Sequence, residues 1–167
     1  CAVDGTSAYT WTRKQAARPV RGRIALPDAP VLGLRGLAVL DDSAGYHPRH
    51  TAWRWSAGVG ETTDGRTVGW NLVTGINDPA RGSERSVWVD GIPFEPAPVR
   101  FDGLDGIDGA DGERLRFTGE ATRARRENLL LVRSDYEQPF GTFTGTLPGG
   151  VELARGMGVM ERHDAHW

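Results

Sequence analysis

No window of this chain keeps apolar residues at a 3.6-residue period for three turns, and that constrains its fold more than any motif does. Short runs alternating apolar and polar residues take the place of such windows. Twenty-three glycines and ten prolines punctuate the length, leaving little room for a long helix. A period of two sends successive side chains to opposite faces of a strand. Strands are expected at Val20–Leu26, Leu34–Leu40, Thr51–Trp55, Arg66–Thr74, Ser86–Val89, Val99–Phe101, Arg114–Ala121, Asn128–Arg133, Phe140–Leu147 and Val151–Arg162. Asp64-Gly65, Asp90-Gly91 and Pro148-Gly149-Gly150 read as hairpin turns between them. The predicted class is all-β: an antiparallel lipocalin-like (calycin-type) barrel or a strongly bent sheet of about ten strands.

Three segments carry narrower expectations. Asn128–Arg133 is apolar on both faces and is expected to be covered on both sides. Asp102–Gly112 holds four Asp and four Gly in eleven residues and reads as a loop; it lacks the terminal Glu of a calcium loop. Asp78–Glu84 is the one weak helical candidate.

Length and charge bound the function. At 167 residues the chain is read as one domain, 1–167, able to bury roughly 70% of its unfolded surface. A net charge of -2 with mixed signs gives no reason to expect nucleic acid as a partner. The basic cluster Arg123-Ala124-Arg125-Arg126 reads as a solvated hairpin end. No stretch approaches the ~20 apolar residues of a spanning helix, so the chain is read as not membrane-spanning. With a single cysteine, Cys1, an internal disulfide is excluded, and a cytoplasmic location is expected. Cys1 is read as the start of a fragment, ahead of a processed end or a lipidation site. Phosphate loops, dinucleotide fingerprints, serine elbows and cysteine metal spacings are all missing, and no cofactor is assigned.

The residues with chemistry cluster in few places. All four histidines fall in two His-x-x-His pairs, His47/His50 and His163/His166. The two pairs, from separate strands, could meet at Zn²⁺ or another transition metal. Residues three apart on a strand point to opposite faces, however, so each pair converges only on a turn or bulge and no metal site is assigned. On the last strand Met157, Val159, Glu161 and His163 share a face, which reads as a core strand ending at a polar mouth. A carboxyl group there can serve as a general acid through desolvation, or can pair with one of the nineteen arginines and close the barrel end. Thr51, Trp53 and Trp55 share another face and can line a cavity or fill the core. Asn71 is expected to have room beside Gly69 for a bound group, and Arg49 is expected to clamp a carboxylate, of a ligand or of Asp41 or Asp42.

Four blocks carry a family resemblance: Asp41–Trp55, Val68–Leu72, Ser134–Gly141 and Gly158–Trp167. They resemble, in the same order, a bacterial family known as domain of unknown function 2804. That family is more distantly similar to the lipocalin-like group of carotenoid 1,2-hydratase, tocopherol cyclase and certain fungal cyclases. The resemblance implies that this chain is the C-terminal half of a longer protein with two β-domains. It places the Trp strand, Asn71, Glu161 and His163 inside shared motifs. The combined expectation is a barrel binding a hydrophobic small molecule. In its reactive form Glu161 and His163 catalyse acid-promoted hydration, cyclisation or isomerisation, while Arg49, Trp53, Trp55 and Asn71 hold the ligand. The alternatives are a non-catalytic carrier of such a ligand and a structural β-domain, completed by a homodimer partner or by the missing half.

Overall fold

The computed structural model describes residues 9–129 and 132–166. Cys1 and Trp167 lie outside the described residues. The described residues form eleven strands: β1 (Thr10–Ile24), β2 (Leu32–Gly45), β3 (His50–Thr62), β4 (Thr67–Thr74), β5 (Ser86–Val89), β6 (Ile92–Phe94), β7 (Arg100–Asp102), β8 (Gly106–Asp108), β9 (Arg114–Leu129), β10 (Val132–Leu147) and β11 (Val151–His166). Nine form one antiparallel sheet in the order β6-β5-β4-β3-β11-β10-β9-β8-β7, and β1 and β2 form a separate hairpin. β6 and β7 end the order without pairing to each other, so the sheet is a curled half-barrel, the bent form of the two expected.

One face of the curl holds the core. Val68, Trp70 and Leu72 of β4 cluster there with Val87, Ile107, Leu115, Phe143, Leu147, Leu153 and Met160. Strands near both ends of the sheet thus meet over its middle. The Trp70 indole lies over the backbone of β3 and β11: a Cβ on Gly58 would overlap its ring, and one on Gly156 would stand 3.1 Å from it. Its N–H donates to the Ser56 hydroxyl at 3.1 Å, and Phe143 meets the ring edge-on at 5.0 Å between centroids. The interior is therefore filled with side chains, as small barrels generally are.

Several expectations change. Leu129 and Val132 are register partners at the end of the β9–β10 hairpin and are 68% and 38% exposed, so the 128–133 run is not a covered strand; residues 130 and 131 lie outside the described ones. The Asp/Gly-rich segment is not all loop. It folds into the small β7–β8 hairpin, because Ile107 gains a buried place in the core. Residues 78–84 are irregular rather than helical. There the buried Arg85 guanidinium donates to the carbonyls of Asp78 and Pro79, taking up backbone acceptors a helix would have used itself. The first strand begins at Thr10, well before Val20. All three turns occur where expected. At Asp90-Gly91 both residues have positive φ, the geometry that matches strand twist in a two-residue hairpin.

The glycine beneath Trp70 gives a direct test. Gly58→Ala must displace the indole or the β11 backbone and is expected to cost about 1–3 kcal/mol, as overpacking does. Gly22→Ala, where nothing lies within 4 Å, should change stability by less than about 0.5 kcal/mol. Urea unfolding of both variants checks this; equal losses would contradict the packing described.

Candidate functional site

Alternation puts a second row of side chains on the opposite face of the same strands. Register pairs Glu161 of β11 with Trp55 of β3 and His163 with Trp53. On the far side of β3, Val73 pairs with Trp55 and Asn71 with Ala57. On the far side of β11, Tyr136 pairs with His163 and Ser134 with Ala165. The β1–β2 hairpin packs over β3 and β4 on this face. Ala16 fills the hollow beside Gly69, where a glycine Cβ would stand 2.6 Å from the Ala16 methyl carbon. The room expected there for a ligand is thus occupied by the chain itself. The packing coincides with a bulge between Gln15 and Arg18, at which Ala17 takes φ 55°.

Between hairpin and sheet lies a cavity of about 230 Å³, whose walls include Trp53, Trp55, Val73, Ile76, Thr51 and Glu161. Glu161 is 8% exposed. Its Oε1 accepts from the Trp53 indole N–H and its Oε2 from the Gln138 amide, both at 2.7 Å. No Lys or Arg pairs with it among the described residues. His163 leans edge-on against Trp53, 4.5 Å between centroids, with its Nε2 2.9 Å from the Ser134 hydroxyl. Burial pushes the His163 imidazole below its ordinary value, against the pull of the Glu161, Asp164 and Asp135 carboxylates. Burial, and then the Glu161 charge, push the Tyr136 phenol up.

A second polar group faces the same cavity. Lys14 Nζ stands 2.6 Å from Asp41 and 3.6 Å from Glu84, and 5.8 Å from the centre of the Trp55 ring. Glu84 is almost enclosed, its side chain 5% exposed. Burial raises its carboxyl above the ordinary range, with Lys14 and the Asn77 amide pulling the other way. Asn71 ties the groups together: it accepts from the Trp55 indole and donates to the Glu84 carbonyl, both at 2.8 Å. Every buried side-chain N and O among the described residues has a partner.

Of the residues singled out in sequence, Asp41, His47, Thr51, Trp53, Trp55 and Glu161 line the cavity; Asn71 lies behind Trp55, and His163 beside Trp53. Arg49 is exposed and outside the lining. Asp41 and Asp42 take Lys14 and Arg13 as partners instead. Met157 is 60% exposed, so its face of β11 is not a core face at that end; Met160, on the other face, is the core residue. Sequence reasoning missed Lys14, Glu84 and Gln138. Gln138 lies within the Ser134–Gly141 block, whereas nothing local pairs Lys14 with Glu84.

Glu84 supplies a prediction with a definite sign. Its carboxyl binds a proton more tightly in the fold than in the unfolded chain. Its ionisation therefore removes stability as pH rises from about 4.5 through the higher folded value. The stability of the parent protein relative to Glu84→Gln should fall between pH 4 and pH 7. Urea midpoints at the two pH values test it, and a difference that stays constant or grows would contradict the burial effect.

The chain matches the model of a family described as a domain of unknown function over residues 2–167. No curated protein and no solved structure matches it. Among the described residues no helix is long and apolar enough to cross a membrane. By the family match, which spans nearly all of its length, the chain belongs to the DUF2804 family.

Proposed function

We propose that this domain binds a small amphipathic molecule between its cover hairpin and the outer face of the sheet, and that Glu161 exchanges a proton with it. The observation that carries the reading is a nearly buried carboxylate, without a cationic partner among the described residues, at the wall of a cavity lined by two indoles. Burying such a group is costly unless hydrogen bonds compensate, and Trp53 and Gln138 provide them. The volume, about 230 Å³, is under the roughly 300–1,000 Å³ of common ligand pockets. A small molecule, or the reactive head of a larger one, fits that space.

The reaction class follows from the groups. A protonated Glu161 gives its proton to an unsaturated carbon of the ligand. Water captures the resulting cation and sheds a proton, or an internal double bond captures it and the new cation loses a proton from the adjacent carbon; either proton returns to the carboxylate. Indole faces stabilise a transient cation through their quadrupole. His163 sits two residues along the same face, held by Ser134, and serves to orient Glu161's surroundings or pass the proton on. Lys14 replaces Arg49 as the cation available to a polar group of the ligand. The distant likeness to lipocalin-like hydratases and cyclases supports this class at the level of fold analogy alone.

A carrier without turnover is the second reading, favoured by one observation: both Glu161 oxygens already accept protein hydrogen bonds. Small-molecule extracts incubated with parent protein and with Glu161→Gln separate the two. Under the proposal a compound retained by both proteins, seen in native mass spectra, is consumed by the parent only. Retention by both without consumption by either makes the domain a carrier; equal consumption by both removes Glu161 from the chemistry.

A further inference from the structure

On the face opposite the cavity, the same two strands bring together a second set of groups. Asp164 and His166 are two apart on β11, so both point away from Glu161 and His163. His50, the first residue of β3, is the direct register partner of His166. Their imidazoles stack at 4.0 Å between centroids, 10° from parallel. Asp164 Oδ1 stands 3.2 Å from His50 Nε2 and 3.5 Å from His166 Nε2.

We infer that His50, Asp164 and His166 form a binding site for a divalent transition-metal cation of the zinc kind. Ligand atoms from all three lie within 4.8 Å of one another. A cation bound at 2.0–2.2 Å to nitrogen and oxygen requires donors roughly 3–3.6 Å apart, and both measured N···O separations meet that. Two imidazoles with one carboxylate suit zinc and its neighbours better than magnesium or calcium, which favour oxygen ligands. Three protein ligands leave a coordination position for water or a ligand atom.

Hydrogen bonding sets what each ring nitrogen offers: His50 Nε2 meets the Asp164 carboxylate at 3.2 Å as a donor, so a bound cation takes the place of that proton. His166 Nε2 lies 2.9 Å from Arg133 Nη2. A guanidinium can only donate, so that nitrogen presents its lone pair and cannot also donate to Asp164. His166 is thus held in the form a metal requires, with Asp164 beside it unsatisfied from that side. A cation binding here displaces the Arg133 contact and takes the same lone pair. Both histidines and Asp164 are partly solvent-exposed, so the stacked rings can turn about their side-chain bonds to aim both lone pairs at one ion while the sheet stays in place.

The test is calorimetric titration with Zn²⁺ in a Cys1→Ser background, which removes the one competing thiol. One equivalent is expected to bind saturably. His50→Ala and His166→Ala should each weaken binding about tenfold or more, since even outer-shell partners cost that much. His47→Ala, which leaves the triad intact, should bind as the parent does. Thermal melts run alongside show that each variant folds, and Zn²⁺ should raise the melting temperature of the parent but not of the two triad variants. Absence of saturable binding, or binding that persists in the His50→Ala/His166→Ala double variant, would overturn the site.

Discussion

Everything else in this structure depends on the antiparallel pairing of β3 with β11, and that pairing is locked by the indole of Trp70. Gly58 and Gly156 leave the surface bare where the ring lies, Ser56 takes its N–H, and Phe143 closes its edge. A slip of one residue between the strands would turn every side chain of the slipped strand to the other face. It would bring Glu161 into the core in place of Met160. A large side chain fitted into a glycine gap fixes register far more sharply than a general preference for apolar contact. The buried indole is thus responsible for the placement of groups that it never touches.

Once register is fixed, the two faces become two separate chemical settings. One carries Trp53, Trp55, Glu161 and His163 under the cover hairpin; the other ends in His50, Asp164 and His166 in contact with solvent. Period-two alternation alone makes this division. Neighbours in sequence such as His163 and Asp164 lie on opposite faces, while residues far apart such as Trp53 and Glu161 meet at the same cavity. The contrast in electrostatics follows from cover: the hairpin excludes water from Glu84 and raises its carboxyl, whereas the open triad is screened.

This explains what was legible in the sequence. Alternation announced the strands, and the shared faces of Trp53 with Trp55 and of Glu161 with His163 follow from alternation too. Turn chemistry at Asp64-Gly65, Asp90-Gly91 and Pro148-Gly149-Gly150 placed three hairpins. What alternation cannot give is which strand lies beside which. Spacing within a strand makes each His-x-x-His pair diverge, and which histidine of one pair meets which of the other, His50 with His166, is a fact of register. Arg49 was the cation nearest in sequence to the acidic residues, yet β1 pairs with β2 and brings Lys14 there instead. The 128–133 run misled for a different reason: apolar residues at a hairpin end look, locally, like a buried strand.

The cover hairpin joins fold to function. Its inner half is anchored by Ala16 against Gly69 and by Lys14 between Asp41 and Glu84, while residues 21–37 are exposed throughout. A two-stranded ribbon is marginally stable in water by itself, so its inner contacts must hold it in place. Those contacts are also the walls of the cavity. A molecule bound between hairpin and sheet would add apolar contact on both sides and strengthen the attachment of the hairpin. Under the proposed function, affinity and hairpin order would therefore be one linked quantity, and the polar groups at the seam would tie both to the protonation of the buried Glu84 carboxyl.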